Sequence, residues 1–333
     1  MPAGSPPENV EHLVAERWFH GFGTAHGPSH LRSGKPNQDA VKVSRLDLGP
    51  PFGQTFVACV ADGHGSASAF RSDRGARFAV DIASEVVAGA LTQHWDADGS
   101  SEGPTRAGAP EEVWDFLVKT VPQQICSRWV DRVQRDIRDT ENAVDEQGDG
   151  SESGPHRSGT DDTADLLGLP GLRAYGSTLV IGILATCGVG VLQIGDGDAI
   201  GVFSPQGHPV RPERLTPSDS RLMGNATTSL SLPNAADDFR HGEWITTSGP
   251  NGLPWGVVIA TDGLGNAMVS DDALFETVRD LVEYAYQLGQ DEPDWVTEWL
   301  ETNVARFSGD DASMILLWKR PSPTSETTRL EPE

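Results

Sequence analysis

Residues 55–65 read TFVACVADGHG, a short apolar run that ends in the tetrapeptide Asp-Gly-His-Gly at 62–65. Residues 55–61 have the length and composition of a buried strand, and the Asp-Gly pair after them predicts a tight turn. A helix is expected from about residue 69 to residue 95, because the apolar residues there recur at three- and four-residue steps. This stretch therefore predicts a strand, a turn that carries a carboxylate, and a long helix.

The rest of the chain alternates short apolar runs with amphipathic stretches. A second long helix, bent or staggered near Pro122, is predicted from Val113 to Ile137. The uncharged segment 178–194 is interpreted as a buried hairpin, because glycines divide it into two runs of strand length. Further strands are expected at 199–203, 256–261 and 312–318, and further helices at 272–288 and 294–306. Short strands joined by tight turns, with helices in separate blocks, favour an α+β layered domain over a doubly wound parallel sheet.

One domain is expected from residue 15 to residue 320, with flexible tails at 1–14 and 321–333. The segment 139–170 is rich in acidic residues, Gly, Ser and Thr and holds few large apolar side chains, so a disordered acidic insertion is expected there. A similar polar loop is expected at 96–110. No internal repeat is visible in the sequence, which argues against a solenoid or a propeller.

The composition indicates which classes of partner the chain disfavours. Its 333 residues include 25 Lys and Arg against 49 Asp and Glu, which gives a formal net charge of −24. So strong a negative field opposes phosphate backbones and anionic lipid, so nucleic acid and membrane are poor candidates as partners. The three cysteines lie far apart and form no CxxC pair, which argues against a disulfide framework. The N-terminus shows no secretory signal pattern, and a cytoplasmic location is expected.

Four strand-like runs each carry an aspartate at one end, at Asp62, Asp196, Asp262 and Asp310. A single Asp-Gly pair is most often only a turn, but four strand ends that meet at one sheet edge would bring like charges together. Cations would relieve that repulsion, and oxygen ligands without Cys or a paired-His motif favour Mg²⁺ or Mn²⁺ over zinc. Two such ions roughly 3.5–4 Å apart form a hydrolytic centre at which a water becomes the nucleophile.

Six motifs occur in an order found in one known family. They are Asn37-Gln38-Asp39-Ala40, Val60-Ala61-Asp62-Gly63-His64-Gly65, Tyr175-Gly176-Ser177-Thr178-Leu179, Ile194-Gly195-Asp196-Gly197, Ile259-Ala260-Thr261-Asp262-Gly263-Leu264 and Asp310-Asp311-Ala312-Ser313. The ordered set resembles that of the metal-dependent serine/threonine protein phosphatases of type 2C, in a variant similar to a bacterial branch, and covers residues 21–319. The resemblance implies an α+β four-layer sandwich, in which two central antiparallel β-sheets are flanked by helices on both sides, with two Mg²⁺ or Mn²⁺ ions at one end.

The resemblance also implies the metal ligands, residue by residue. Asp62 would bridge both ions, and the Gly63 carbonyl would bind the second ion. Asp262 and Asp310 would complete the protein ligands of the first ion, while Asp196 corresponds to a weaker third site. Glycine at position 63 lets the backbone carbonyl approach an ion closely.

Two further residues take catalytic roles under the resemblance. Asp39 would hold water bound to the ions, and His64 corresponds to the general acid that gives a proton to the departing serine or threonine oxygen. A histidine suits that step because its pKa lies near neutrality and an alkoxide leaves poorly without a proton. His20, His26 and His30 precede Asp39 in the chain, but no strand or helix spacing places them together.

The sequence departs from the family pattern at positions that serve the ions or the substrate. Gln38 stands where many members have a glutamate that serves the second ion, and Asn266 replaces an acid of the third site. Gly34 replaces an arginine that binds substrate phosphate. Lys35 or Arg32 could supply that positive charge instead, although a lysine lacks the bidentate fork of an arginine.

The function implied by the resemblance is the hydrolysis of phosphoserine and phosphothreonine in proteins by a metal-activated water. The expected partner is a phosphorylated protein, the product of a serine/threonine kinase. Two alternatives stay open. A catalytically weak, phosphoprotein-binding regulatory scaffold is favoured by the changes at Gln38, Gly34 and Asn266. A metal-dependent hydrolase of small phosphate esters would share the site and differ in its substrate.

Overall fold

The computed structural model of the protein describes residues 18–66, 68–96, 109–147, 169–204, 210–222, 227–288 and 294–319. The strands in these residues are β1 (Trp18–Ala25), β2 (Ala40–Leu48), β3 (Gly53–Ala61), β4 (Leu179–Leu184), β5 (Gly188–Ile194), β6 (Asp198–Phe203), β7 (Arg211–Arg214), β8 (Arg240–His241), β9 (Ile245–Thr246), β10 (Gly256–Ala260) and β11 (Ala312–Lys319). The helices are α1 (Pro28–Ser33), α2 (Ser72–Asp96), α3 (Pro110–Gln147), α4 (Leu169–Arg173), α5 (Asp262–Asn266), α6 (Asp271–Leu288), α7 (Asp294–Asn303) and α8 (Ala305–Ser308). No helix in this part of the chain has both the length and the apolar composition needed to cross a bilayer.

The strands form two antiparallel sheets. Sheet A has the order β1-β11-β10-β6-β7, and sheet B has the order β2-β3-β4-β5-β8, with β9 also paired to β5. The hairpin predicted at 178–194 is confirmed as β4 and β5, which pair from Leu179 opposite Ile194 to Leu184 opposite Val189. The uncharged segment is therefore a buried part of sheet B.

The sheets and helices form four layers, and an apolar cluster fills each of the three spaces between them. Between the sheets, side chains from both meet, among them Phe56 and Val180 of sheet B and Ile259 and Leu317 of sheet A. Helices α2 and α3 pack on the outer face of sheet B, where Trp129 is fully buried. Helices α6 and α7 cover the outer face of sheet A. The predicted α+β four-layer sandwich is confirmed.

Helix α3 differs from its predicted form. It runs unbroken through Pro122 and continues to Gln147, so residues 139–147 of the predicted acidic insertion are helical. The last predicted helix, at 294–306, is divided into α7 and α8. The ends of the predicted irregular segments are also helical, with Asp96 in α2, Pro110 in α3 and Leu169 and Pro170 in α4. Apart from residue 109, the rest of these segments, 97–108 and 148–168, and both tails lie outside the described residues.

The register of both sheets brings several strand ends to one edge of the molecule. In sheet B, the end of β3 pairs with the start of β2 through Ala61 and Ala40. In sheet A, the end of β10 pairs with the starts of β11 and β6 through Ala260, Met314 and Asp198. Residues that directly precede or follow these strands therefore meet at that edge.

Candidate metal centre

Four aspartates reach the edge where the strand ends meet. Asp62 directly follows β3, and Asp196 lies in the turn between β5 and β6. Asp262 opens α5 after β10, and Asp310 lies shortly before β11. All four line an open cleft of about 1050 Å³. The structure therefore brings together the four carboxylates that the sequence places at strand ends.

Three of these carboxylates form a compact group. One oxygen from each of Asp62, Asp196 and Asp262 lies within 4.8 Å of the other two. Within the same limit of 4.8 Å, Asp310 forms a separate group with His30 and Asp311. The Asp310 side chain is half exposed. Asp310 is thus a neighbour of the central group rather than a member of it.

Burial and mutual repulsion raise the pKa values of these carboxyl groups. The pKa of Asp62 lies well above its ordinary value, because the side chain is buried and because charges such as those of Asp39, Asp262 and Asp310 repel its own. The pKa of Asp262 rises to about 6, first through burial and then through the charges of Asp196 and Asp310. Divalent cations would favour the charged forms, so this set of donors fits Mg²⁺ or Mn²⁺.

Backbone contacts fix the position of Asp62 and Gly63. The Asp62 N–H donates a hydrogen bond to Thr178 Oγ1 at 3.1 Å, and the Thr178 N–H donates to the Asp62 carbonyl at 2.8 Å. The Gly63 N–H donates to the Gln38 carbonyl at 3.1 Å. A Cβ at position 63 would lie 2.7 Å from the backbone oxygens of both Gln38 and Ser72, so a larger residue would not fit. Segments next to β2 and β4 and the first turn of α2 thus fix the backbone that carries the Asp62 carboxylate.

Asp39 is buried at the start of β2. Thr261 Oγ1 donates to its Oδ2 at 2.7 Å, whereas its Oδ1 has no hydrogen-bond partner in the described part of the chain. Burial raises the pKa of Asp39 to about 8, the Thr261 hydrogen bond opposes that shift, and the charges of Asp311 and Asp262 add to it. A buried carboxylate oxygen is costly unless a water or an ion satisfies it. Its position is therefore compatible with the predicted role of holding water.

The two amides that replace family acids both contact the site. Gln38 is buried, and its Nε2 donates to Ser72 Oγ. Gln38 Oε1 has no hydrogen-bond partner among the described residues. Asn266 Nδ2 donates to Asp262 Oδ2 at 2.9 Å, which holds one oxygen of that carboxylate. Asn266 therefore orients an acid of the central group instead of adding another charge to it.

His64 lies on the wall of the cleft, beside the loop that precedes β4. Its backbone N–H donates to the Gly176 carbonyl at 3.1 Å. Its ring packs on Gly176, where a Cβ would lie 2.4 Å from the ring carbon Cδ2. Burial lowers the pKa of His64, and the charge of Asp196 opposes that shift. The position of the His64 ring thus explains the glycine of the motif at 175–179.

The two basic residues that the sequence suggests for phosphate binding, Lys35 and Arg32, have different surroundings. Lys35 Nζ donates to the Gly65 carbonyl at 2.5 Å, and Gly65 lines the cleft. Arg32 is exposed on α1, where its Nη2 donates to Ser29 Oγ at 3.2 Å. Lys35 therefore contacts the wall of the cleft, whereas the contact of Arg32 is local to its own helix.

Two arginines that the sequence prediction omits line the cleft, Arg173 and Arg214. Arg214 forms ion pairs with two aspartates, Asp198 among them, so that its charge is neutralised locally. Arg173 is exposed, and within the described ranges no ion pair holds it. Its carbonyl accepts the Gly176 N–H at 3.1 Å, which connects it to the glycine that supports the His64 ring. Arg173 thus offers the cleft a positive charge that a ligand can use.

The layered fold and the carboxylate-lined cleft together define a metal-dependent hydrolase. The sequence model of the protein phosphatase 2C family matches residues 26–302. The chain belongs to the protein phosphatase 2C family, and it is a metal-dependent serine/threonine protein phosphatase that uses Mg²⁺ or Mn²⁺. A comparison with curated proteins finds no match.

Several solved structures resemble this chain at low sequence identity. PppA, a key regulatory component of the T6SS in Pseudomonas aeruginosa, is 16% identical, with 91% of this chain and 97% of that chain covered and a TM-score of 0.48. A serine-threonine phosphatase 2C from Toxoplasma gondii is 15% identical, with coverages of 92% and 96% and a TM-score of 0.47. The catalytic domain of the serine threonine protein phosphatase PstP, in complex with two manganese ions, is 13% identical, with coverages of 92% and 100% and a TM-score of 0.43.

Proposed function

We propose that this cleft removes phosphate from phosphoserine and phosphothreonine side chains of a protein that a serine/threonine kinase has phosphorylated, as part of a signalling process. The observation that carries the proposal is the group formed by Asp62, Asp196 and Asp262, whose oxygens converge within 4.8 Å at the edge of the sheets. Three carboxylates so close together repel one another unless cations are bound. The family of the chain supplies the reaction, and the geometry supports the residues that carry it.

The ligand roles follow from the position of each carboxylate. Asp62 would hold both ions, because its charge interacts with those of Asp39, Asp196, Asp262 and Asp310 alike. Asp262 and Asp310 would hold the first ion, the Gly63 carbonyl and Gln38 would serve the second ion, and Asp196 would serve a weaker third ion. When bound, the ions supply positive charge that activates a water and stabilises the charge that develops on the phosphoryl group.

Asp39 and His64 handle the protons and the water. The unpartnered Oδ1 of Asp39 accepts a hydrogen bond from the nucleophilic water and so orients it toward phosphorus. His64 would hold a proton on the wall of the cleft and donate it to the departing serine or threonine oxygen. The packing of its ring on Gly176 limits the ring to one position on the cleft wall.

The substrate and location follow from charge and cysteine usage. The acidic cleft repels a nucleic acid backbone but accepts a phosphorylated side chain once cations are bound. The free thiols of Cys59, Cys126 and Cys187 support a reducing compartment, and we assign the protein to the cytoplasm.

Turnover of a phosphothreonine peptide tests the proposed function. We expect hydrolysis with Mn²⁺ or Mg²⁺ and none in the presence of a chelator, because the carboxylates alone cannot activate water. Peptide binding without hydrolysis under all three conditions would favour the regulatory scaffold. Hydrolysis of small phosphate esters without hydrolysis of the peptide would instead indicate a metal-dependent hydrolase of small phosphate esters.

Arg173 is the cleft residue that we expect to bind the substrate phosphate in place of the family arginine. Replacing it in Arg173→Ala should raise KM for a phosphopeptide by roughly tenfold or more, because a charge-assisted, bidentate hydrogen bond is lost. Arg173→Lys should recover only part of that loss. Steady-state kinetics of these two variants, with Arg32→Ala and Lys35→Ala for comparison, assign the phosphate contact. A larger rise in KM for Lys35→Ala or Arg32→Ala than for Arg173→Ala would contradict this assignment.

A further inference from the structure

His30 is a buried histidine whose ring is fixed by one carboxylate. It lies on α1 and is 8% exposed, and its Nδ1 lies 2.8 Å from Asp311 Oδ2. Asp311 is 3% exposed, its Oδ2 also accepts the Gln38 N–H at 2.7 Å, and its Oδ1 accepts the Gly27 N–H at 2.7 Å. A carboxylate that accepts these bonds favours the tautomer in which His30 Nδ1 carries the proton. The other ring nitrogen, Nε2, then has a free lone pair.

The lone pair of His30 Nε2 lies close to an acid of the cleft. The nearest oxygen of Asp310 is 3.6 Å from Nε2, which is longer than a normal hydrogen bond. Metal–ligand distances in nitrogen and oxygen sites are about 2.0–2.2 Å. At that length, two ligands of one ion lie at most about 4 Å apart. A separation of 3.6 Å therefore allows both atoms to reach one shared ion, whereas it is too long for a direct hydrogen bond.

Gln38 is a second buried residue near His30. Gln38 is 4% exposed, and its Oε1 has no hydrogen-bond partner within the described ranges. A Cβ on Gly65 would lie 3.5 Å from His30 Nε2 and 3.9 Å from Gln38 Oε1, so both atoms face Gly65 on the cleft wall. Buried polar atoms of this kind are normally satisfied by a water or an ion. The His30 nitrogen and the Gln38 amide oxygen thus both lie beside Gly65, and the nitrogen also lies 3.6 Å from Asp310.

We propose that His30 Nε2 is a ligand of the ion that Asp310 binds, with Asp311 as the positioning residue that fixes the ring. The site then has one nitrogen ligand among its oxygens. Nitrogen ligands raise the affinity for transition metals relative to Mg²⁺, because Mg²⁺ prefers an all-oxygen octahedron. His30 therefore makes this centre selective for Mn²⁺ over Mg²⁺. This inference rests on the metal centre of the proposed function.

Electron spin-echo spectroscopy of the Mn²⁺-loaded chain tests the proposal without an activity assay. We expect a nitrogen coupling on Mn²⁺ that changes when the histidines carry ¹⁵N. The coupling should disappear in His30→Asn, whose amide can still donate to Asp311 but lacks the Nε2 position. The matched control is His26→Asn, because the His26 ring lies only 6.5 Å from His30 and its Nε2 is 4.0 Å from Asp311 Oδ1.

Calorimetry measures the selectivity that the nitrogen ligand confers. His30→Asn should weaken Mn²⁺ binding by roughly tenfold or more and leave Mg²⁺ binding nearly unchanged, so that the ratio of the two affinities falls. An equal loss for both ions would overturn the selectivity. If the nitrogen coupling persists in His30→Asn, the nitrogen that binds Mn²⁺ belongs to another residue, and His30 is not a ligand.

The outcomes separate this inference from the proposed function. If the unmodified chain binds no Mn²⁺ in calorimetry, the metal centre itself fails. If it binds Mn²⁺ without any nitrogen coupling, the centre stands and the role of His30 alone is wrong. Should His30→Asn fail to fold, the His64→Gln protein decides the question, because loss of the coupling there would assign the nitrogen to His64.

Discussion

Asp62→Asn should reduce phosphatase activity by at least roughly 10³-fold and abolish tight Mn²⁺ binding. Bound ions supply several kcal/mol of transition-state stabilisation, and each 1.4 kcal/mol changes the rate about tenfold. The Asp62 carboxylate groups closely with those of Asp196 and Asp262, and its charge also interacts with those of Asp39 and Asp310. Loss of its charge therefore weakens more than one ion position. Steady-state turnover of a phosphothreonine peptide and calorimetry with Mn²⁺ measure the two effects.

Thermal unfolding distinguishes a lost metal site from a misfolded protein. Removing one of several repelling carboxylates should leave the metal-free melting temperature of Asp62→Asn unchanged or higher, while the rise on adding Mn²⁺ disappears. Asp47→Asn serves as the control, because Asp47 lies exposed on β2 beside Arg45 and outside the cleft. Unchanged stoichiometry and affinity for Mn²⁺ in Asp62→Asn would remove Asp62 from the bridging position.

The sequence predicts the strands next to Asp62 and Asp310 closely, but it misses β1 and β2. Thr55–Ala61 and Ala312–Trp318 are apolar except for Thr55 and Ser313, and the observed strands β3 and β11 differ from them by at most two residues at each end. Strand β1 is absent from the prediction because Gly21 and Gly23 weaken its pattern. Gly23 is needed there, since its Cβ would lie 2.5 Å from the backbone nitrogen of Thr297 on α7. Close packing of a helix thus removed the local signal for this strand.

The convergence of the aspartates could be predicted, but the contacts behind them could not. Each Asp-Gly pair marks its own strand end, so local patterns suffice to place Asp62 and Asp262 at a sheet edge. The pair formed by His30 and Asp311 joins residues 281 positions apart. Only the pairing of β1 with β11 brings the segments that carry them together, from Trp18 opposite Lys319 to Ala25 opposite Ala312. The residue spacing before Asp39 therefore cannot predict the contact between His30 and Asp311.

The departures from the family pattern act on different parts of the centre. Asn266 donates to Asp262, so it replaces a negative charge with a hydrogen bond that orients a ligand. Gln38 keeps an oxygen near Gly65 but carries no charge, which weakens an oxygen-only ion site. His30 would add a nitrogen ligand to a different ion, the first one, which Asp310 also holds, and there it favours a transition metal over Mg²⁺. The departures thus remove negative charge from the second and third ion positions, whereas the proposed role of His30 concerns the first.

His64→Gln should slow hydrolysis of a phosphoserine peptide by roughly 10²-fold or more and barely change hydrolysis of an aryl phosphate. A serine alkoxide needs a proton to leave, whereas a phenolate leaves without one, and positioned general acids contribute about 10²–10⁴-fold. Glutamine keeps the size and the backbone hydrogen bond to Gly176, so the cleft wall should retain its shape. The ratio of kcat values for the two substrates measures the proton transfer separately from substrate binding.

The matched control for this substitution is His241→Gln. His241 is exposed at the end of β8, where its Nδ1 contacts the Gly242 carbonyl at 3.1 Å, and it does not line the cleft. Both substrates should be hydrolysed at the unmodified rate by that protein. Equal losses on the peptide and the aryl ester in His64→Gln would show that His64 positions the ions or the water. A loss confined to the peptide would assign it the proton, because only the leaving group differs between the two reactions.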